Sequence, residues 1–213
     1  MKHYPAFIDL NEKKTVVIGG GAVAERKVRA LLRTGAQVNV ISPDITAGLL
    51  SLKDRGVIKH YRRHYRKGDL QGALIVIAAT SSSTVNAKIA DDAGHLVNVV
   101  DMPEKGNFIV PSRVKRGLLT IAISTEGASP ALAKAIRKEI EGRYDRDFGL
   151  YLYFLETLRK KAMVKIRDRK KREKFLKSLA SAEMLENLRK KGFKDLSKSI
   201  TASFNRLYTQ PHK

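Results

Sequence analysis

Six residues, Gly19-Gly20-Gly21-Ala22-Val23-Ala24, carry the spacing G-x-G-x-x-A between an apolar run, Thr15 to Ile18, and a helical pattern from Val23 to Leu32. In that setting each position has a task. Gly19 permits a tight turn, Gly21 lets the backbone approach a pyrophosphate, and Ala24 lets the helix pack closely on the strand. The start of the helix offers free N–H groups and a positive dipole end to phosphate oxygens. The chemistry predicted is dinucleotide binding centred on Gly19, Gly20 and Gly21; the alternative for such a triplet is a plain turn.

Three further groups stand where strands should end. Val40-Ile41-Ser42-Pro43-Asp44 closes the second strand, so Ser42 occupies the place of the usual ribose-binding carboxylate. Asp44 is placed either to hold the adenosine ribose or to cap a helix beginning at Ile45. Ala78-Ala79-Thr80 ends a central strand, where small residues let a dinucleotide lie flat; tight packing is the other reading. Asn98-Val99-Val100-Asp101 ends the next strand. A carboxylate there, beside a nicotinamide, suits proton removal or metal contact, though a strand-terminal Asp also serves as a cap. Ser124-Thr125-Glu126-Gly127-Ala128-Ser129-Pro130 supplies hydroxyls and a helix start, which together suit a carboxylate ligand or simple capping. Asn98, Ser124, Thr125, Gly127 and Ser129 are the candidate substrate contacts.

The elements that must position these residues follow from periodicity. Apolar runs at 15–18, 38–41, 74–78 and 96–100, with a weaker one at Val57-Ile58, alternate with helical patterns at 23–32, 45–54 and 84–93. Strands that are apolar throughout mean a parallel sheet covered on both faces, so the fold class is α/β with an N-terminal Rossmann sheet. Pro5 to Leu10 reads as an additional amphipathic strand. After Pro111 the pattern changes: Leu118 to Ile123 is a strand, and Ser129-Pro130 opens a helix with Leu132, Ile136 and Ile140 on one face. From Phe148 onward the chain reads as helical and basic, with Gly192 as the obvious break. The cuts fall at 1–113, 114–146 and 147–213.

Composition excludes much. There is no cysteine, hence no disulfide, thiolate metal site or catalytic thiol, which fits a reducing compartment. No apolar run approaches the roughly 20 residues of a membrane span, and no leader is visible. A soluble, cytoplasmic protein with no membrane partner is expected. His3, His60, His64, His95 and His212 show no ligand spacing beyond His60-x3-His64, which reads as a solvated basic face. The net charge is +21, and residues 151–213 hold 18 Lys/Arg against 6 Asp/Glu. Such a surplus gathers anions. Nucleic acid, anionic lipid and a polyanionic small molecule all satisfy it, and solubility with counterions is the bland alternative.

The combination resembles a known family. Pro5-Ala6-Phe7-Ile8-Asp9-Leu10, Val17 to Lys27, Ala78-Ala79-Thr80, Asn98 to Asp101, Phe108-Ile109-Val110-Pro111-Ser112 and Ser129-Pro130 together resemble precorrin-2 dehydrogenases and the N-terminal module of siroheme synthases, collinear over roughly residues 4–140. The resemblance implies a Rossmann domain, a small central α+β dimerisation segment and a helical C-terminal domain, joined as a homodimer. It implies NAD-dependent oxidation of precorrin-2 to sirohydrochlorin, and in some members insertion of ferrous iron. Asp101 falls on the family's key aspartate, a transient metal contact where iron is inserted, and Thr125 on a substrate-site position often held by serine. Ala22-Val23 and Pro43-Asp44 fall on cofactor contacts. Glu126 departs from the glycine expected there. An anionic tetrapyrrole accounts for the basic charge without nucleic acid. The rival reading is a non-enzymatic NAD-sensing regulator whose basic helical tail binds nucleic acid; no helix-turn-helix signature accompanies residues 165–174.

Overall fold

Five short strands, β1 Lys14–Ile18, β2 Gln37–Ile41, β3 Lys59–Tyr61, β4 Ile75–Ala78 and β5 Leu96–Val99, form one parallel sheet in the order β3-β2-β1-β4-β5 in the computed structural model. The structure describes residues 3–209; His212 lies outside them. Alternate residues of β1, β2, β4 and β5 feed two cores. Val17, Val38, Val40, Ile75 and Ile77 pack with Ala24, Val28 and Leu31 of helix α1 (Ala22–Leu32) and Leu49 and Leu52 of α2 (Ala47–Asp54). Val16, Ile18, Val76, Ala78, Val97 and Val99 pack on the other face with Ile89 of α3 (Ser83–Asp92). Burial on both faces is why these strands read as unbroken apolar runs. The order reverses between β1 and β4, so the carboxyl ends of those strands flank the switch point where ligands of open α/β sheets bind.

Three expected boundaries are corrected. Residues 5–10 form no strand; Tyr4, Phe7 and Ile8 are exposed and only Leu10 enters the core. The third strand is Lys59–Tyr61 and excludes Val57-Ile58. There Gly56, at φ 69°, ends α2: its N–H donates to the Lys53 carbonyl and the Val57 N–H to that of Leu52. This paired closure engages Val57 before the strand can begin. Finally, α2 starts at Ala47, with Thr46 as its cap.

The chain divides into two compact units between Val110 and Pro111. The second holds an antiparallel hairpin, β6 Ser112–Arg116 with β7 Leu119–Ile123, then α4 Pro130–Arg143, α5 Arg146–Lys165, α6 Arg169–Ser178 and α7 Ala182–Thr209. β6 was not anticipated, because Ser-Arg-Val-Lys-Arg has one apolar residue. Ser129 caps α4 through the Leu132 N–H, with Pro130 in the first turn, as expected. The buried residue of α4 is Ala133, however, and Leu132 is exposed. Phe148, Tyr151, Leu158, Phe175, Leu188, Ile200 and Phe204 form the helical core.

α7 is broken at Gly192, whose φ 73° and ψ 168° are open almost exclusively to glycine. Asp147 accepts the Phe193 N–H freed by the break at 2.8 Å, and a Cβ at position 192 would stand 3.2 Å from the same carboxylate. Gly192→Ala is therefore expected to cost about 1–3 kcal/mol, read as a lower urea midpoint. An unchanged midpoint would show that the break is not held by the fold.

Candidate functional site: a dinucleotide cleft with a tethered carboxylate

The three glycines do different work. Gly19 lies at φ +117°, and its hydrogen faces the next strand end so closely that a Cβ would sit 2.2 Å from the Ala79 carbonyl oxygen. Gly20 faces the other side, where a Cβ would sit 1.9 Å from the Asp44 carbonyl oxygen. Backbone bonds complete the junction: the Gly19 N–H donates to Ile41 and the Gly20 carbonyl accepts from Thr46. Gly21 is different. Among the described residues, no heavy atom beyond its chain neighbours lies within 4 Å of where a Cβ would stand, and its φ of −80° suits any residue. The space before Gly21 is open, as approach by a ligand requires.

α1 begins at that opening with Gly21 as its N-cap and, among the described residues, no side-chain cap bond. Helices α2 to α6 are each capped by a side chain, from Thr46, Ser82, Ser129, Asp145 and Asp168. The N–H groups at the start of α1 are thus left for a phosphate, which the helix dipole favours. The residues present fit a dinucleotide. Ala22 and Val23 stand exposed on the first turn beside it.

Ser42, 8% exposed, is held by its N–H to the Tyr61 carbonyl, and its own carbonyl bonds His60 Nε2 at 2.9 Å. His60 is therefore tied to the sheet; the pair with His64 is not simply a solvated face. Asp44 is exposed after half-buried Pro43. Thr46, and not Asp44, caps α2, so the capping alternative for Asp44 is withdrawn. Thr46 also donates to the Glu25 carboxylate at 2.6 Å, while Arg29 pairs with the same group at 2.7 Å. The Thr46 hydroxyl first, then Arg29, hold the Glu25 carboxyl below its ordinary range. This clasp joins α1 to α2 behind the glycine turn.

Thr80 and Asp101 are joined by a residue outside the expected set. Asn86 of α3 is fully buried, accepts from the Thr80 N–H and hydroxyl, and donates to the Thr80 carbonyl and to Asp101 Oδ1 at 2.8 Å. Its sequence signal was a polar residue at i, i+3 spacing from buried Ile89, on the core face of the helix. Asp101 itself is exposed, two residues beyond β5. Asn98, buried in β5, gives its amide to the Phe108 carbonyl at 3.2 Å and so anchors the following loop.

The remaining candidates lie in the second unit, in one tight turn. The Thr125 hydroxyl accepts the Ser129 N–H, the Thr125 carbonyl the Ala128 N–H, and the Ser124 hydroxyl the Glu126 N–H. Glu126 and Gly127 both have positive φ, 51° and 89°. That explains why glycine is the expected residue at 126: a side chain there is held in a left-handed conformation that disfavours it.

Glycine turn, uncapped helix start and strand order together define a Rossmann domain of the NAD(P)-binding class. A family model for NAD(P)-binding domains matches residues 6–112, and one described as the central part of sirohaem biosynthesis proteins matches residues 116–143. Siroheme synthase 1 of Aeromonas salmonicida is 36% identical over 188 residues, covering 87% of this chain and 40% of the relative. Precorrin-2 dehydrogenase of Bacillus subtilis is 36% identical over 159 residues, 74% of this chain and 98% of the relative. The solved structure of SirC, a precorrin-2 dehydrogenase, superposes with a TM-score of 0.81 at 25% identity, covering 96% of this chain and all of that one. The chain spans about two fifths of the siroheme synthases it matches. It belongs to the precorrin-2 dehydrogenase and siroheme synthase family.

Proposed function

We propose that this protein oxidises precorrin-2 to sirohydrochlorin with NAD, in siroheme biosynthesis. The observation that carries the reading is the open glycine turn, with its uncapped helix start, on the same sheet edge as the Asn86-tethered Asp101. Gly19, Gly20 and Gly21 bring backbone to the pyrophosphate, Ala22 and Val23 flank it, and Ala79 and Thr80 wall it. Ser42, Pro43 and Asp44 receive the adenosine ribose; the Asp44 carboxylate would repel a 2′-phosphate, which favours NAD over NADP. NAD, when bound, supplies the hydride acceptor. The oxidation removes a hydride and a proton from the macrocycle, and Asp101 is the base assigned to the proton.

Asn98, Ser124, Thr125, Gly127 and Ser129 stay assigned to the substrate. The basic helices of the second unit suit its carboxylates, a charge match that also speeds encounter. We extend the reading to insertion of ferrous iron as a second substrate, with Asp101 as transient contact. Assembly is proposed as a homodimer in the cytoplasm through residues 114–146, where Leu118 and Leu132 stand exposed by 49% and 53%. No helix of the described residues is long and apolar enough to cross a membrane.

The test is spectroscopic. Purified protein with precorrin-2 and NAD should generate the visible bands of sirohydrochlorin together with NADH, and added ferrous iron should convert those bands to siroheme. The KM for precorrin-2 should rise with salt while NADH affinity changes little, because screening acts on the polyanion. No product bands, combined with tight binding to duplex DNA at physiological salt, would replace this reading with the regulator.

A further inference from the structure

Asn86 has every hydrogen-bonding valence used. A primary amide offers two acceptor lone pairs and two N–H donors. Here Oδ1 takes the Thr80 N–H at 3.2 Å and the Thr80 hydroxyl at 2.7 Å. Nδ2 donates to the Thr80 carbonyl at 3.1 Å and to Asp101 Oδ1 at 2.8 Å. The orientation of the amide is not a free choice. A backbone N–H only donates and a backbone carbonyl only accepts, so Thr80 alone dictates which end is oxygen. Whichever rotamer Asp101 adopts at this site, the group it meets is a donor.

The amide itself is locked. Asn86 is 0% exposed and sits on the buried face of α3 with Ile89, while Ser82 caps that helix and donates its own N–H to the Thr80 hydroxyl. Thr80 follows directly on Ala79, the residue whose backbone abuts Gly19. One buried side chain therefore couples the strand end beside the glycine turn to an exposed carboxylate that lies fifteen residues beyond Asn86 in the chain.

We propose that Asn86 is the positioning residue for Asp101: it pins one carboxylate oxygen to the cofactor wall and leaves the other directed to substrate. The proposal rests on the reading of Asp101 as the base. Occupying Oδ1 with a donor removes rotamers in which the carboxylate would swing into solvent. The pinned geometry supports turnover more than binding, because the bond touches the proton acceptor and neither ligand.

Asn86→Asp tests it. The replacement is isosteric and keeps the acceptor toward the Thr80 N–H and hydroxyl, but it removes the donor to the Thr80 carbonyl and turns the donor toward Asp101 into a second carboxylate. We expect kcat to fall by about tenfold or more, with KM for precorrin-2 and NADH affinity each within about threefold of the parent, the pattern of an interaction felt in turnover. Unchanged kcat, or kcat and NADH affinity falling in parallel, would overturn it. Melting curves supply a second reading through a double-mutant cycle. Asp101→Asn should raise the midpoint in the Asn86→Asp background by relieving the facing carboxylates, and should not raise it in the parent. Equal shifts in both backgrounds would mean that the two side chains do not meet.

If Asn86→Asp does not fold, the side-chain amide resonances of protein with labelled asparagine decide. Asp101→Ala should move the Asn86 Nδ2 proton signals and speed their exchange with water, and unmoved signals would refute the contact. These melting and resonance measurements need no catalytic assumption. Full turnover by Asp101→Asn would sink the base assignment and the positioning role that rests on it, leaving only the contact; normal turnover by Asn86→Asp beside an inactive Asp101→Asn would sink only the positioning role.

Discussion

Asp101→Asn is expected to leave a folded protein with near-parental NADH affinity and a turnover lower by at least about 10²-fold, the low end of what a positioned base supplies. The fold should survive for a specific reason. Asp101 is exposed and accepts one bond, from Asn86 Nδ2, and an asparagine at 101 can present its own carbonyl oxygen to that donor. What is lost is charge and basicity. Steady-state kinetics with precorrin-2 and NAD, together with NADH fluorescence titration, separate the two effects. A variant that turns over normally would make Asp101 a structural partner of Asn86 and no more. A variant that loses NADH affinity along with turnover would place its role in binding.

The second large effect concerns the glycine turn, where neighbouring positions should fail differently. Gly21→Val adds its bulk to open space, since among the described residues nothing beyond its chain neighbours lies within 4 Å of a Cβ there. The chain should fold with an unchanged melting midpoint. NADH affinity should nevertheless fall by at least about 100-fold, or about 2.7 kcal/mol, because the side chain stands where the pyrophosphate must approach. Gly19→Ala does the reverse. Its Cβ would meet the Ala79 carbonyl oxygen at 2.2 Å from a φ of +117°, so β1 and β4 must part for it to fit. Loss of stability, seen in thermal melts before any ligand is added, is the expected result. If Gly21→Val binds NADH as the parent does, the triplet is only a turn. If Gly19→Ala melts with the parent, the junction of β1 and β4 is looser than this packing requires.

The same turn divides what is legible at position 19 from what is not at position 20. A glycine directly after a buried strand announces a turn from local sequence alone. The close approach of Gly20 to the Asp44 carbonyl depends on how β2 and the cap of α2 return to the sheet, and no local pattern carries that information.

Elsewhere the division follows the same physics. The apolar runs at β1, β2, β4 and β5 specified a parallel sheet, because strands covered on both faces have no polar side to show. Ser129-Pro130 specified the start of α4, and Gly192 a break in α7, since capping and left-handed backbone are properties of one or two residues. The third strand was misplaced for an equally physical reason: Val57 and Ile58 are apolar, but hydrogen bonds closing α2 engage the chain there first. β6 was invisible because a short hairpin strand is chosen by its partner β7 and not by its own alternation. Asn86 is the clearest case. Its spacing from Ile89 marks it as buried, and a buried amide must be satisfied. Which groups satisfy it depends on the ends of two strands meeting over one helix. That meeting, which joins Thr80 to Asp101, belongs to the tertiary structure alone.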